Sequence, residues 1–147
     1  MSLAILPSEI AKIDAHGRRA YPQECCGVMF GKQIPGWKLV VEVRPLENAN
    51  RDSPRTRFLV APEDFMASEQ YAREQKLLMI GFYHSHPDHP ARPSQFDLQH
   101  AWPWFSYVIV SVQQGTAGDI TCWELAEDRF EFRQEELAMA ISQSGGS

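Results

Sequence analysis

The chain has only three cysteines, and no two of them form a CxxC pair, since Cys25 and Cys26 are adjacent and Cys122 stands far from both. Such a set makes a poor disulfide framework and offers no thiolate knot for a structural zinc, so a reducing compartment is expected. No uninterrupted apolar run reaches the roughly eighteen residues of a membrane helix. The opening "MSLAILPSEI" has neither a basic n-region nor a small-residue cleavage site, and the expectation is a soluble, cytoplasmic protein. Basic residues are outnumbered, 14 Lys and Arg against 19 Asp and Glu, with a net charge of −5 and no basic cluster. That leaves no footprint for a phosphate backbone, and neither nucleic acid nor membrane is an expected partner.

What is present suits one core: 147 residues, 44% hydrophobic and 22% charged. A single domain is expected over residues 1–140, with residues 141–147 a disordered tail. The apolar spacing of Ile10, Ile13 and Ala20 predicts a helix over Ser8 to Ala20, with Ser8 as a possible N-cap. Strands are expected at 25–32 and 37–46 around the turn "QIPG", with another at 56–60. Pro62 and the acids after it open a second helix. "LLMIGFYHSH" reads as a buried central strand, "PSQFDLQHAW" as a short third helix, 105–112 as a buried strand, and 119–133 as one or two antiparallel strands. "QEELAM" has helical character. The class is α+β, a mixed sheet flanked by helices.

The stretch "YHSHPDHPARPSQFD", residues 83–97, holds three of the five histidines and three of the ten prolines. On a strand, His84 and His86 project from one face about 6–7 Å apart along the backbone, near enough to share an ion. Zinc takes such ligands in tetrahedral geometry, and three protein ligands mark a catalytic site where four mark a structural one. Asp97 is a candidate third ligand. Ser94-x-x-Asp97 also reads as a capping box, which alone would account for both residues. His89 and His100 fit no second ligand set and read as solvated or structural, and Asp88 reads as a loop acid. Pro87, Pro90 and Pro93 stiffen the loop. Trp102, Trp104 and Phe105 read as core or sheet-edge packing.

Taken together the residues spell His84-x-His86, seven residues, Ser94, two residues, Asp97. This spacing resembles the signature of the JAMM (MPN+) zinc metallopeptidases of the JAB domain family. An upstream P-x-E-x-C-G pattern strengthens the likeness, with Pro22, Glu24, Cys26 and Gly27 in "YPQECCGVMFG". The resemblance spans nearly the whole chain and is nearest to compact bacterial members associated with sulfur carriers, including those that release cysteine from one. It implies a curved, mostly antiparallel sheet between helices with the metal at the end of the motif strand. It also implies one Zn²⁺ held by His84, His86 and Asp97, with Glu24 as general base and Ser94 stabilising the oxyanion.

JAMM enzymes cut peptide or isopeptide bonds after the C-terminal Gly-Gly of ubiquitin-like proteins. Only seven residues separate Asp97 from Phe105, which leaves no room there for the insertions that engage a second ubiquitin in the larger deubiquitinases. The expected partner is a ubiquitin-like or sulfur-carrier protein ending in Gly-Gly. Maturation of that carrier, release of an amino acid such as cysteine, and removal of a modifier from lysine all remain open. So does a non-catalytic scaffold role, although every motif residue is present. The chain is expected to be a monomer or homodimer.

Overall fold

The computed structural model describes residues 2–50, 58–126 and 131–140. Strand β1 (Ser2–Ile5) leads into helix α1 (Pro7–Ala20), and the hairpin β2 (Cys26–Ile34) and β3 (Trp37–Leu46) follows. After helix α2 (Pro62–Gln75) come β4 (Leu78–Pro87), the short helix α3 (Gln95–Gln99), β5 (Ser106–Gln113), β6 (Thr116–Leu125), β7 (Phe132–Glu135) and β8 (Leu137–Met139). All eight strands join one sheet in the order β7-β6-β5-β4-β2-β3-β1-β8. Pairings of β1 with β3, β1 with β8 and β4 with β5 are parallel, and the other four are antiparallel. The class is α+β, as expected.

The two sheet faces are covered by different helices. Ile13 of α1, fully buried, packs with Met29, Ile80, Tyr83, Val108 and Val110 in one core. Across the sheet, Phe30, Ala72, Phe82 and Tyr107 form the other, joined by Phe65 and Tyr71 of α2 and Leu98 of α3. Burial of one such side chain contributes about 1.5–3 kcal/mol, so each helix is held mainly by its apolar stripe. Period-two alternation along β4 puts Tyr83 with the α1 core and Phe82 with the other. His84 and His86 follow Phe82 onto the face shared with α3.

Several expectations are corrected. Helix α1 starts one residue early: Leu6 is its N-cap, Pro7 occupies the first turn, and Ser8 donates to Glu9 at 2.8 Å instead of capping. "SLAI" is a strand, and "LAM" within the expected helical stretch is a strand, because β8 pairs in parallel with β1 at the sheet edge. Of the strand expected at 56–60, residues 56 and 57 lie outside the described residues and 58–60 are not a strand. The tail expectation for 141–147 also lies outside them. Trp102 and Trp104 are exposed rather than core, whereas Phe105 packs edge-on to Phe82 at 5.6 Å. Lys38, fully buried, pairs with Glu124 at 3.1 Å, donates to the Trp104 carbonyl and lies under its ring, anchoring the loop that enters β5.

Gly81 shows how closely the site strand is packed. A Cβ there would overlap the backbone carbonyl of Ser106 on β5, and backbone cannot rotate away. Gly81→Ala should therefore cost about 2–3 kcal/mol in urea unfolding, and a loss below ~0.5 kcal/mol would show that the β4–β5 pairing yields freely.

Candidate metal centre

Strand β4 delivers both imidazoles to one buried point. His84 is fully buried and His86 nearly so, and their Nε2 atoms stand 3.1 Å apart. Helix α3 supplies the third group, with Asp97 Oδ2 3.2 Å from His84 Nε2 and 3.3 Å from His86 Nε2. The capping box is also there: Asp97 N–H donates to Ser94 Oγ at 3.1 Å, and Ser94 N–H donates to Asp97 Oδ2 at 2.9 Å. The capping-box reading of Ser94-x-x-Asp97 is realised. The cap orients the same oxygen that faces the histidines.

Two further contacts set the geometry. Pro90 carbonyl lies 2.9 Å from His86 Nδ1, an acceptor that holds the proton there and leaves a lone pair on Nε2. Cys25 N–H donates to Ser85 Oγ at 2.8 Å while Ser85 N–H donates to Cys25 carbonyl at 3.1 Å. This clamp fixes the start of β2 beside the end of β4 and so positions Glu24. A Glu24 carboxylate oxygen lies within 4.8 Å of a ring nitrogen of both His84 and His86.

The electrostatics are those of a site short of positive charge. Burial pulls His84 below its ordinary value, so that ring is neutral at neutral pH. Burial also opposes the charge on Asp97, but His84, His86 and the Ser94 N–H outweigh it and hold the carboxyl well below the usual carboxylate range. Burial, then the Asp97 charge, pushes Glu24 up to about 9. Glu24 Oε1 and His84 Nδ1 are buried and have no hydrogen-bond partner among the described residues. Nor does any described Lys or Arg pair with Asp97 or Glu24.

This donor set fits a small divalent cation. Ligands about 2.0–2.1 Å from a tetrahedral ion are separated by about 3.3–3.4 Å. The triangle of His84, His86 and Asp97 has edges of 3.1, 3.2 and 3.3 Å. Two imidazoles and a carboxylate also suit zinc chemically.

Other expected residues fall outside this cluster. Asp88 is the loop acid expected of it, accepting from Tyr21 Oη at 2.6 Å and Gln114 N–H at 2.7 Å. His89 is exposed, and its carbonyl accepts from Ser111 at 2.6 Å. Cys25, Cys26 and Cys122 are free and buried, with Cys26 Sγ against the Leu46 and Glu47 carbonyls. His100 is exposed, stacks on Phe96 at 4.1 Å and lines a cavity of about 350 Å³ that also touches His84 and Asp97. That cavity was missed from sequence. The i, i+4 spacing of Phe96 and His100 around Asp97 was its available signal.

Sequence and fold match known proteins. Residues 7–126 match the family described as prokaryotic homologs of the JAB domain, and the chain belongs to that family. It is 31% identical to a Haloferax volcanii protein named "Desampylase", over 82% of this chain and 79% of that one. A Thermus thermophilus protein named "Probable TtuB-protein conjugate cleaving protease" is 34% identical over 65% of this chain, which spans 60% of that protein's length. A solution structure of a Desulfitobacterium hafniense protein superposes with a TM-score of 0.83 at 28% identity, covering 95% of this chain and 94% of that one.

In metal-free protein Glu24 takes up a proton on folding, because its value rises from 4.5 to about 9. Its contribution is intact below 4.5 and is lost as pH climbs through the window up to about 9. Thermal melts of chelator-treated wild type and Glu24→Gln should coincide near the acid end and diverge toward alkaline pH, with the variant the more stable. Parallel curves across that window would contradict the buried, proton-binding Glu24.

Proposed function

We propose that the protein is a zinc-dependent metallopeptidase that hydrolyses the peptide or isopeptide bond after the C-terminal Gly-Gly of a ubiquitin-like or sulfur-carrier protein. The observation that carries this reading is the buried triangle of two imidazoles and one carboxylate, with a second carboxylate beside it. His84, His86 and Asp97 would hold the ion. Asp97 is assigned as ligand in preference to Glu24 because its Oδ2 makes the short contacts to both rings and is oriented by Ser94. When bound, Zn²⁺ supplies Lewis-acid polarisation of the carbonyl and acidifies water to near neutral pH.

Glu24 is the general base. Glu24, protonated up to about pH 9 in the metal-free protein, would give up that proton beside a bound cation, and its Oε1, buried without a partner, would then offer a free lone pair to the proton of the attacking water and return it to the leaving nitrogen. Ser94 stabilises the developing oxyanion. Its Oγ already accepts from the Asp97 N–H, so its own O–H remains free to donate. An extended Gly-Gly suits a narrow approach, because only glycine lets the backbone come so close to buried walls. Cleavage of modifier conjugates is favoured among the three outcomes by the likeness to the Thermus conjugate-cleaving protease.

The test is cleavage of a ubiquitin-like carrier extended beyond its Gly-Gly, followed by mass spectrometry. Zinc-loaded wild type should cut after Gly-Gly. Glu24→Gln should keep about one zinc per chain yet lose roughly 10²–10⁴-fold in rate, while His84→Ala loses the metal itself. Cleavage that survives both the chelator and Glu24→Gln would sink the assignment. If Glu24→Gln changes nothing but metal removal unfolds the chain, the ion serves only to hold the fold.

A further inference from the structure

The carbonyl that sets the His86 tautomer stands on an exposed turn. Asp88, His89 and Pro90 all face solvent, and Asp88 has φ +57°, in the left-handed region. Open space of about 430 Å³ lies against the turn, bordered by Pro90, Ala91, Thr121 and Trp123. Packing alone therefore does not hold the Pro90 carbonyl against the His86 ring. The carbonyl also accepts from the Arg92 N–H at 2.8 Å, but that bond spans two residues of the same turn and would travel with it. Asp88 is tied by Tyr21 Oη, the Gln114 N–H and the Val112 carbonyl, yet it stands two residues before Pro90.

The carbonyls on either side of Pro90 are each held by a hydroxyl from a neighbouring strand. Ser111 Oγ of β5 donates to the His89 carbonyl at 2.6 Å, and Thr121 Oγ1 of β6 donates to the Ala91 carbonyl at 2.6 Å. Each hydroxyl is itself engaged from two residues further along its own strand. Gln113 Nε2 donates to Ser111 Oγ at 2.9 Å, and Trp123 Nε1 donates to Thr121 Oγ1 at 2.8 Å. An N–H occupying the acceptor side of a hydroxyl leaves its own proton to point at the carbonyl, and such chains strengthen each bond in them. Two relays of the same form thus converge on residues 89 and 91.

Both relays are referenced to the strand that carries the ligands. Ser111 is in register with His86, and Thr121 is in register with Ile109, which is itself in register with His84. Any shift of the turn relative to β4 would have to stretch both hydroxyl bonds. We infer that Ser111 and Thr121 are positioning residues for His86: by fixing the carbonyls on either side of Pro90 they keep the Pro90 carbonyl on Nδ1 and the Nε2 lone pair toward the ion. This rests on the assignment of His86 as a zinc ligand. Partners that orient a ligating imidazole affect metal affinity without touching the ion.

The test uses the full chain with one equivalent of Zn²⁺. Thr121→Val keeps the shape of the side chain and removes its donor, Thr121→Ser keeps the donor, and Ser111→Ala removes the other one. Zinc affinity is read by competition with a chromogenic chelator. The hold on the ring is read by NMR, as solvent exchange of the His86 Nδ1–H in the zinc-loaded chain. Thr121→Val and Ser111→Ala should each weaken zinc binding roughly tenfold, the low end of the range for outer contacts of a metal site, and should speed Nδ1–H exchange by a similar factor. Thr121→Ser should stay within about threefold of wild type in both readouts. If Ser111→Ala does not fold, the two Thr121 variants decide the matter.

A merely structural role would lower the melting temperature while leaving affinity and exchange unmoved, and that result overturns the inference. So does an equal loss in Thr121→Val and Thr121→Ser, since the hydroxyl would then not be the operative group. In either case the ligand assignment stands. If wild type binds no zinc, or His86→Ala binds it as tightly as wild type, the ligand assignment fails and the positioning role falls with it.

Discussion

Everything at this site depends on one constraint. Two imidazoles and an ionised carboxylate are packed into a buried triangle, with no described Lys or Arg side chain to balance the carboxylate. Burying an uncompensated charge is costly, and a protein keeps such an arrangement where a bound ion repays it. Each supporting contact serves that triangle. Pro90 sets the His86 tautomer, Ser94 aims Asp97, and the Cys25–Ser85 clamp brings Glu24 to the edge of the cluster. Metal sites are tuned by such outer contacts, which hold the ligands before the ion arrives.

The sheet explains why these contacts can be held so tightly. Strand β4 is central, paired with β2 on one side and β5 on the other, and it is buried over most of its length. Its alternation commits Tyr83 and Ser85 to the α1 side and leaves the two histidines to the side of α3. A slip of one residue would turn both imidazoles to the wrong face, so the register that builds the core also builds the site. Gly81 allows β5 to approach as closely as that register demands.

Much of this was legible in the sequence because local signals and tertiary demands agree there. The apolar run into His84 and His86 reads as a buried strand and is one, and Ser94 with Asp97 reads as a helix start and is one. Legibility failed where pairing overrode propensity. Glu, Leu and Ala in "QEELAM" favour a helix, yet Leu137–Met139 gains a strand partner in β1 and takes the extended form. Trp102 and Trp104 failed for a different reason: composition places aromatics inside, and only the three-dimensional arrangement shows an exposed apolar surface leading to the site. The cavity walls come from the segment before α2, from α2, from strands β4, β5 and β7, and from α3 with the loops on either side of it. The i, i+4 spacing of Phe96 and His100 marks only the α3 part of that wall, and the convergence of the other segments is tertiary.

The most direct measurement is X-ray absorption at the zinc edge of the protein reconstituted with one equivalent of Zn²⁺. The account predicts a four-coordinate ion with two imidazole nitrogens and two further light-atom ligands at about 2.0–2.1 Å, and no sulfur. A sulfur shell near ~2.3 Å would bring Cys25 or Cys26 into the coordination and contradict the triangle of His84, His86 and Asp97 as the metal site.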